Sequence, residues 1–204
     1  MDWKDLLVES IKELKFEENE LAFLSLQGKI ELQLRDKIAW ALYKKGYKNV
    51  KKEYAPKDID AGRSKCDLAI LDDNLNPQCL VEFKAHSSQN WENQYKKAFE
   101  KDLDKMRDFS KNKNVDLFYI YFQTYHVKSF NTPREKMLVV YSDIINRAVR
   151  KNIEDIDQEI YRQWEKICEK EGRNDLIKMH KIEAGEYLGD KPIIYAMIYG
   201  PLKS

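Results

Sequence analysis

Two apolar stretches decide the fold of this chain, Lys65-Cys66-Asp67-Leu68-Ala69-Ile70 and Leu80-Val81-Glu82-Phe83-Lys84-Ala85. The segment between them, Asp72-Asp73-Asn74-Leu75-Asn76-Pro77, is rich in residues that favour turns. The pattern therefore predicts two core strands joined as a β-hairpin. The unusual feature is charge inside the apolar runs, since Asp67, Glu82 and Lys84 interrupt them.

Strand geometry brings these charged side chains together. Glu82 and Lys84 are two residues apart, so they share one face of a strand and Phe83 takes the other. If the turn is centred between Asn74 and Leu75, the numbers of paired residues add to 149 and Asp67 lies opposite Glu82. We therefore predict that two carboxylates and an ammonium converge at one end of the hairpin.

The order of these features resembles the PD-(D/E)XK nuclease superfamily, to which many restriction endonucleases belong. The matching residues are Asp67 and the triplet Glu82-Phe83-Lys84, after a predicted helix that carries Glu31. One departure is that Cys66 stands where the superfamily pattern has a proline. The resemblance covers residues 29–126.

The resemblance implies a fold and a domain organisation. The expected fold class is α/β, a restriction-endonuclease-like three-layer α/β/α arrangement with a central mixed sheet flanked by helices. One domain is expected over residues 1–204, because a chain of this length commonly forms one core. An N-terminal helix and a C-terminal helix-strand extension would flank the core at residues 29–126.

The resemblance also implies an activity. It is that of a Mg²⁺-dependent endonuclease acting on DNA, with Mn²⁺ able to substitute, in restriction, defence or repair and often as a homodimer. The catalytic set would be Asp67, Glu82, Lys84 and Glu31. Carboxylate oxygens suit Mg²⁺, so the metal ligands would be Asp67, Glu82, the Phe83 carbonyl and Glu31. Lys84 would position a water and counter charge on the phosphate.

Two alternatives stand beside this interpretation. Asp67, Glu82 and Lys84 could form a buried charge network without metal, although such networks are seldom stabilising because desolvation costs several kcal/mol per ion. Glu31 could simply pair with Arg35 one helical turn away. The alternative function is a catalytically inactive module of the same fold that binds nucleic acid or assembles with a partner.

Composition sets broader bounds. The 43% hydrophobic and 35% charged residues are typical of a soluble globular protein, and no apolar run approaches the roughly 18 residues of a membrane span. The first residues lack the pattern of a signal peptide. The cysteines Cys66, Cys79 and Cys168 have no metal-ligand spacing, and neither do the three histidines. We expect reduced thiols in a cytoplasmic protein, with Cys66 and Cys79 buried in the core strands.

Local charge suggests where nucleic acid would bind. The net charge is only +1, but residues 44–65 contain eight basic and three acidic side chains. The candidate phosphate contacts are Lys57, Arg63, Lys65, Lys128 and Arg134. A solvated surface of mixed charge is the alternative.

Periodicity predicts the remaining elements. Helices are expected at residues 2–17, 29–45, 90–111 and 152–172. Strands are expected at residues 49–55, 117–122 and 193–199, and a loop at 56–62. The type of residues 21–26 is left open. Thr132-Pro133 predicts the start of a helix, although residues 137–141 would also suit a strand.

Overall fold

One mixed β-sheet organises the computed structural model, which describes residues 2–28, 30–55, 65–87, 101–105, 107–108, 114–149, 153–170 and 177–202. The strands within these residues are β1 Val50–Tyr54, β2 Cys66–Leu71, β3 Pro77–Ser87, β4 Asp116–Tyr125, β5 Ile177–Glu183 and β6 Ile193–Leu202. Their order is β1-β2-β3-β4-β6-β5. Only β3 and β4 run parallel, and the other neighbours are antiparallel. The protein is therefore of the α/β class.

Helices precede and follow the central strands. Their bounds are α1 Trp3–Lys12, α2 Glu20–Gln27, α3 Glu31–Lys44, α4 Pro133–Leu138, α5 Ser142–Ala148 and α6 Ile153–Lys170. Residues 101–105 and 107–108 are also helical, and we name them the covering segment. In the described parts of the chain, no helix combines the length and apolar composition needed to span a membrane.

The hairpin forms in the predicted register. Leu68 pairs with Val81, Ala69 with Leu80, and Ile70 with Cys79, so the paired numbers add to 149. The turn is closed by Asp72, whose Oδ1 accepts hydrogen bonds from the backbone N–H groups of Asn74 (2.9 Å) and Asn76 (2.8 Å). The register shifts by one residue after Ile70, so Leu71 pairs with Pro77 next to the turn.

The two faces of the sheet build two cores. One face presents residues such as Leu68, Val81 and Ile120 to α1, α2 and α3. The other presents Ala69, Leu80 and Tyr119 to α6 and to Leu103 of the covering segment. Helices thus pack on both faces. Central strands buried on both sides must be nearly continuously apolar, which is why the charged interruptions in β2 and β3 stand out.

Several predicted elements are confirmed within a few residues. The strand predicted at residues 117–122 is β4, and it lies beside β3, the strand that carries Glu82 and Lys84. Thr132 caps α4 through a reciprocal capping box with Glu135, so the strand alternative for residues 137–141 is wrong. Residues 21–26 lie in α2. Cys66 and Cys79 are buried free thiols. The predicted loop at 56–62 and the first part of the helix at 90–111 lie outside the described residues.

Helix α1 and strand β5 differ from prediction. Helix α1 ends at Lys12 rather than at residue 17. The segment beyond it packs against α3 instead, with Lys37 Nζ lying 4.1 Å from the centroid of the Phe16 ring. Strand β5 was not predicted, because Lys181 interrupts the alternation begun by Ile177 and Met179. As an edge strand it pairs with β6 alone among the described strands, so it needs less apolar surface.

Gly200 permits the close approach of β6 to β4. Its φ is +139°, and an added Cβ would lie 2.6 Å from the Leu117 carbonyl oxygen and 2.7 Å from Phe118 Cδ1. We expect Gly200→Ala to lower the free energy of unfolding by about 2 kcal/mol, because the strands must separate to admit the methyl group. Chemical denaturation measures this loss.

Gly46 provides the control for that substitution. Its φ is +98°, yet an added Cβ would meet nothing within 4 Å. Gly46→Ala should therefore cost only the backbone strain, about 1 kcal/mol. Equal losses for the two variants would show that the contact with β4 is unimportant.

Candidate functional site

Asp67 and Glu82 lie on adjacent strands at the end of the hairpin. They are the next residues outward from the Leu68–Val81 pair, and alternation places them on the face that Ala69 and Leu80 present to the covering segment. Asp67 Oδ2 accepts a hydrogen bond of 2.8 Å from the backbone N–H of Phe83. The Asp67 side chain is therefore fixed against the backbone of β3, beside Glu82.

Glu82 is an ionisable group almost wholly removed from water. Its exposed fraction is 2%. Oε1 accepts a hydrogen bond of 2.5 Å from Lys105 Nζ, whereas the buried Oε2 has no hydrogen-bond partner among the described residues. Burial, and then the charge of Asp67, raise the pKa of Glu82 to about 7 against the lowering effect of Lys105. An unsatisfied carboxylate oxygen in such surroundings favours a bound cation or a proton.

Lys84 shares this face and is surrounded by acids. Its Nζ lies 3.4 Å from Asp102 Oδ2. Burial lowers the pKa of Lys84, but neighbouring carboxylates outweigh burial and leave the pKa above its ordinary value. Those carboxylates belong to Asp102, Glu31, Glu82 and Asp67. Lys84 is therefore an ammonium at neutral pH.

Glu31 reaches the same place from the first turn of α3. Its Oε2 accepts a hydrogen bond of 3.0 Å from the backbone N–H of Ala85. Arg35 is directed elsewhere, toward Asp36 Oδ1 at 3.1 Å and toward Glu53. The hydrogen bonds of the two side chains thus favour the predicted place of Glu31 in the site over the simple Glu31–Arg35 pair.

Sequence reasoning missed two members of the site, Asp102 and Lys105. Both lie on the covering segment, where Leu103 is buried in the core. We name the whole group the charged cluster; its members are Glu31, Asp67, Glu82, Lys84, Asp102 and Lys105. The only sequence signal was that Asp102 borders the apolar stripe containing Leu103, which by itself does not indicate contact with the sheet.

The predicted phosphate contacts are not all gathered here. Lys65 is exposed and directly precedes β2, and its carbonyl oxygen accepts a hydrogen bond of 3.1 Å from Lys105 Nζ. Lys57 and Arg63 lie outside the described residues. Lys128 follows the end of β4 and bonds to Glu135 Oε1 (2.7 Å) and to the Leu188 carbonyl oxygen (2.5 Å).

Distance along β4 separates Lys128 from the cluster. Phe122 pairs with Ala85, and Lys128 is six residues further along the chain. A strand rises about 3.3 Å per residue, so the end of β4 at Tyr125 is already about 10 Å beyond that pair. Arg134 is exposed on α4, further still along the chain. Of the described candidates, Lys65 is the one that contacts the cluster, through its carbonyl oxygen and Lys105.

The cluster fits a hard divalent cation in charge and ligand type. Four carboxylates and two ammonium groups leave a formal charge of −2 when all are ionised. Glu82 Oε2 is a buried oxygen without a described partner. In the part of the chain that the structure describes, no group of three or more His, Cys, Asp or Glu side chains is arranged to hold a metal ion. A metal would thus rely on two carboxylates and other oxygen ligands.

Comparisons with family models, curated proteins and solved structures found no match to this chain.

A second buried ionisable pair lies apart from the cluster. His126 Nδ1 and Asp190 Oδ2 are 2.7 Å apart, and both side chains are fully buried. Asp190 Oδ1 also accepts hydrogen bonds from the backbone N–H groups of Val127 (2.9 Å) and Lys128 (3.1 Å). The pair ties the end of β4 to the turn before β6. Because water and ligands cannot reach it, we assign it a structural role.

An open cleft of about 1020 Å³ lies at the β5 edge of the sheet. It is lined by the segment after α1 and by the end of β5 and the residues that follow, including Lys15, Glu17, Lys181 and Glu183. Strands β4 and β6 stand between this cleft and the hairpin. Its charges are of both signs, and they favour no class of ligand.

Proposed function

We propose that this protein is a metal-dependent endonuclease that hydrolyses phosphodiester bonds of DNA, with a restriction-endonuclease-like fold of the PD-(D/E)XK type. The observation that carries the proposal is Glu82. It is a buried acid with one unsatisfied oxygen, placed beside Asp67 and two residues from Lys84. Burying the Glu82 carboxylate in this arrangement costs free energy unless a cation binds to it.

The ligands for Mg²⁺ would be Asp67, Glu82 and the Phe83 carbonyl. In a strand the N–H and C=O of one residue point to the same neighbour. The Phe83 N–H bonds to Asp67, so its carbonyl also faces the β2 side. When bound there, Mg²⁺ lowers the pKa of a water and neutralises charge on the phosphate.

The protein's own groups have distinct roles in the proposed reaction. Lys84, held as an ammonium by the surrounding acids, donates hydrogen bonds to the attacking water and to a phosphate oxygen. Glu31 bonds to the backbone of Ala85, so it fixes the strand segment that presents Lys84. Asp67, which accepts a hydrogen bond from the Phe83 N–H through Oδ2, would bind the cation through its other oxygen.

Cleavage of DNA under defined metal conditions tests the proposal. Purified protein is incubated with supercoiled plasmid and with duplex and single-stranded oligonucleotides in Mg²⁺, Mn²⁺, Ca²⁺ or EDTA. We expect cleavage in Mg²⁺ and Mn²⁺ and none in EDTA. Absence of cleavage on every substrate, together with absence of Mn²⁺ binding, would refute the proposal.

A second candidate is the inactive module that binds nucleic acid or a partner. The observation in its favour is that Lys105 already neutralises Glu82, and Asp102 already pairs with Lys84. A charge network without metal would have this form. DNA binding that is unaffected by EDTA, without cleavage, would support this candidate instead.

We propose double-stranded DNA as the substrate, cut by a homodimer in a restriction, defence or repair role. A dimer would offer one active site to each strand. Sedimentation of the protein alone and with a duplex oligonucleotide in Ca²⁺ distinguishes a dimer from a monomer.

A further inference from the structure

Asp102 and Lys105 make reciprocal ion pairs with the hairpin. They are one helical turn apart on the covering segment. Asp102 pairs with the ammonium on β3: Lys84 Nζ and Asp102 Oδ2 are 3.4 Å apart. Lys105 pairs with the carboxylate on β3: Lys105 Nζ and Glu82 Oε1 are 2.5 Å apart. One short segment thus pairs with both charged residues of the triplet.

Lys105 has a second anchor beside the site. Its Nζ donates a hydrogen bond of 3.1 Å to the carbonyl oxygen of Lys65, the residue that precedes Cys66 and Asp67. The relative exposure of its side chain is 20%. The ammonium therefore bridges the start of β2 and the buried carboxylate of β3, while retaining a route to solvent.

A buried ionised carboxylate needs a positive partner, because desolvation without one costs several kcal/mol. In the described structure Lys105 supplies that partner to one oxygen of Glu82 and leaves the other unsatisfied. A divalent cation on Glu82 would face an ammonium already bonded to the same carboxylate. Like charges at such distances repel strongly where water is excluded.

We propose that Lys105 is the resident cation of the metal-free site, held on Glu82 until a divalent cation displaces it. This inference rests on the proposed function, since it assumes that Glu82 is a metal ligand. The displaced Lys105 side chain swings toward solvent, and Glu82 is then satisfied by the metal. Lys105 is thus a regulatory residue that lowers metal affinity and protects the buried acid in the metal-free protein.

Isothermal titration with MnCl₂ tests the competition directly. We expect Lys105→Met to bind Mn²⁺ about 10-fold more tightly than the wild type, because the competing charge-assisted hydrogen bond is gone. Lys105→Gln should act in the same direction and serves if the Met variant folds poorly. Lys101→Met is the matched control: it removes the same charge from an exposed position on the same segment and should leave affinity nearly unchanged.

Chemical labelling gives a test in the unaltered protein. Acetylation of Lys105 by an N-hydroxysuccinimide ester, measured by mass spectrometry relative to Lys101, should increase several-fold on saturation with Mn²⁺, because displacement frees the amine. This readout does not depend on catalysis.

The outcomes separate this inference from the proposed function. If the wild type binds Mn²⁺ but the Lys105 variants bind it equally or more weakly, or if labelling does not rise, the competition is overturned and the metal site stands. If neither the wild type nor the variants bind Mn²⁺ at millimolar concentrations, both this inference and the proposed nuclease are overturned.

Discussion

Asp67→Asn, Glu82→Gln and Lys84→Met are each expected to reduce the rate of DNA cleavage by about 10³-fold or more. Each substitution keeps the shape of the side chain and removes its charge. Loss of one preorganised charged group that stabilises a developing charge typically costs a factor of this size. Single-turnover cleavage of a duplex oligonucleotide in Mg²⁺ measures the loss.

Asp104→Asn is the matched control for these variants. Asp104 lies next to Leu103 on the covering segment, and its side chain is 74% exposed. The substitution removes a negative charge, as the two acid variants do, from the same region without touching the charged cluster, so cleavage should stay near the wild-type rate. Retention of cleavage by Glu82→Gln or Lys84→Met would show that the cluster is not the active site.

The stability of the metal-free protein should distinguish the acid variants, Asp67→Asn and Glu82→Gln, from Lys84→Met. Removing one carboxylate relieves the repulsion between Asp67 and Glu82, so the metal-free acid variants should be at least as stable as the wild type. Lys84→Met leaves its acidic neighbours less compensated and should lower stability. Thermal melts with and without Mg²⁺ separate loss of folding from loss of chemistry.

The second large effect is a pH dependence of stability in the metal-free protein. Glu82 has its pKa raised from 4.5 to about 7, chiefly by burial and then by Asp67. The folded protein therefore holds a proton on Glu82 that the unfolded chain releases between these pH values. Stability from this group is fully present below pH 4.5 and is lost as the pH rises through about 7. The full difference is about 3 kcal/mol.

Glu82→Gln isolates that contribution. The variant should match the wild type near pH 4.5 and exceed it by about 3 kcal/mol in free energy of unfolding near pH 8, both in EDTA. Lys105 would lose its acidic partner but keeps the Lys65 carbonyl and a route to solvent. The described charged groups that interact with Glu82 are Asp67, Asp102, Lys84 and Lys105.

Comparing two proteins at each pH cancels the titrating groups that do not interact with Glu82. Asp67, whose pKa burial also raises, is present in both proteins, but its charge interacts with Glu82, so the measured difference includes the change in the titration of Asp67. Denaturation in urea at a series of pH values provides the measurement. A constant difference between the two proteins across this range would show that Glu82 does not titrate as a buried acid.

The sequence by itself determined the convergence of Asp67, Glu82 and Lys84. Two local rules suffice for it: side chains alternate along a strand, and a short turn fixes the register of a hairpin. The place of Glu31 in the site could also be predicted, because it lies at the start of a helix that precedes these strands. Most elements also followed from periodicity, since each is decided by residues close in sequence.

Only the tertiary structure decided which other charges join the cluster. Residues 101–105 read Lys-Asp-Leu-Asp-Lys. Asp102 borders the apolar stripe containing Leu103, but nothing local indicates which of these four charges contacts the sheet. The burial of Leu103 against the sheet orients the segment and brings Lys105 to Glu82, 23 residues away in sequence. Lys128 was predicted to meet phosphate, but folding places it against Glu135 and Leu188. Charge sets what a side chain can bind, and the packing of helices on the sheet sets which partner it meets.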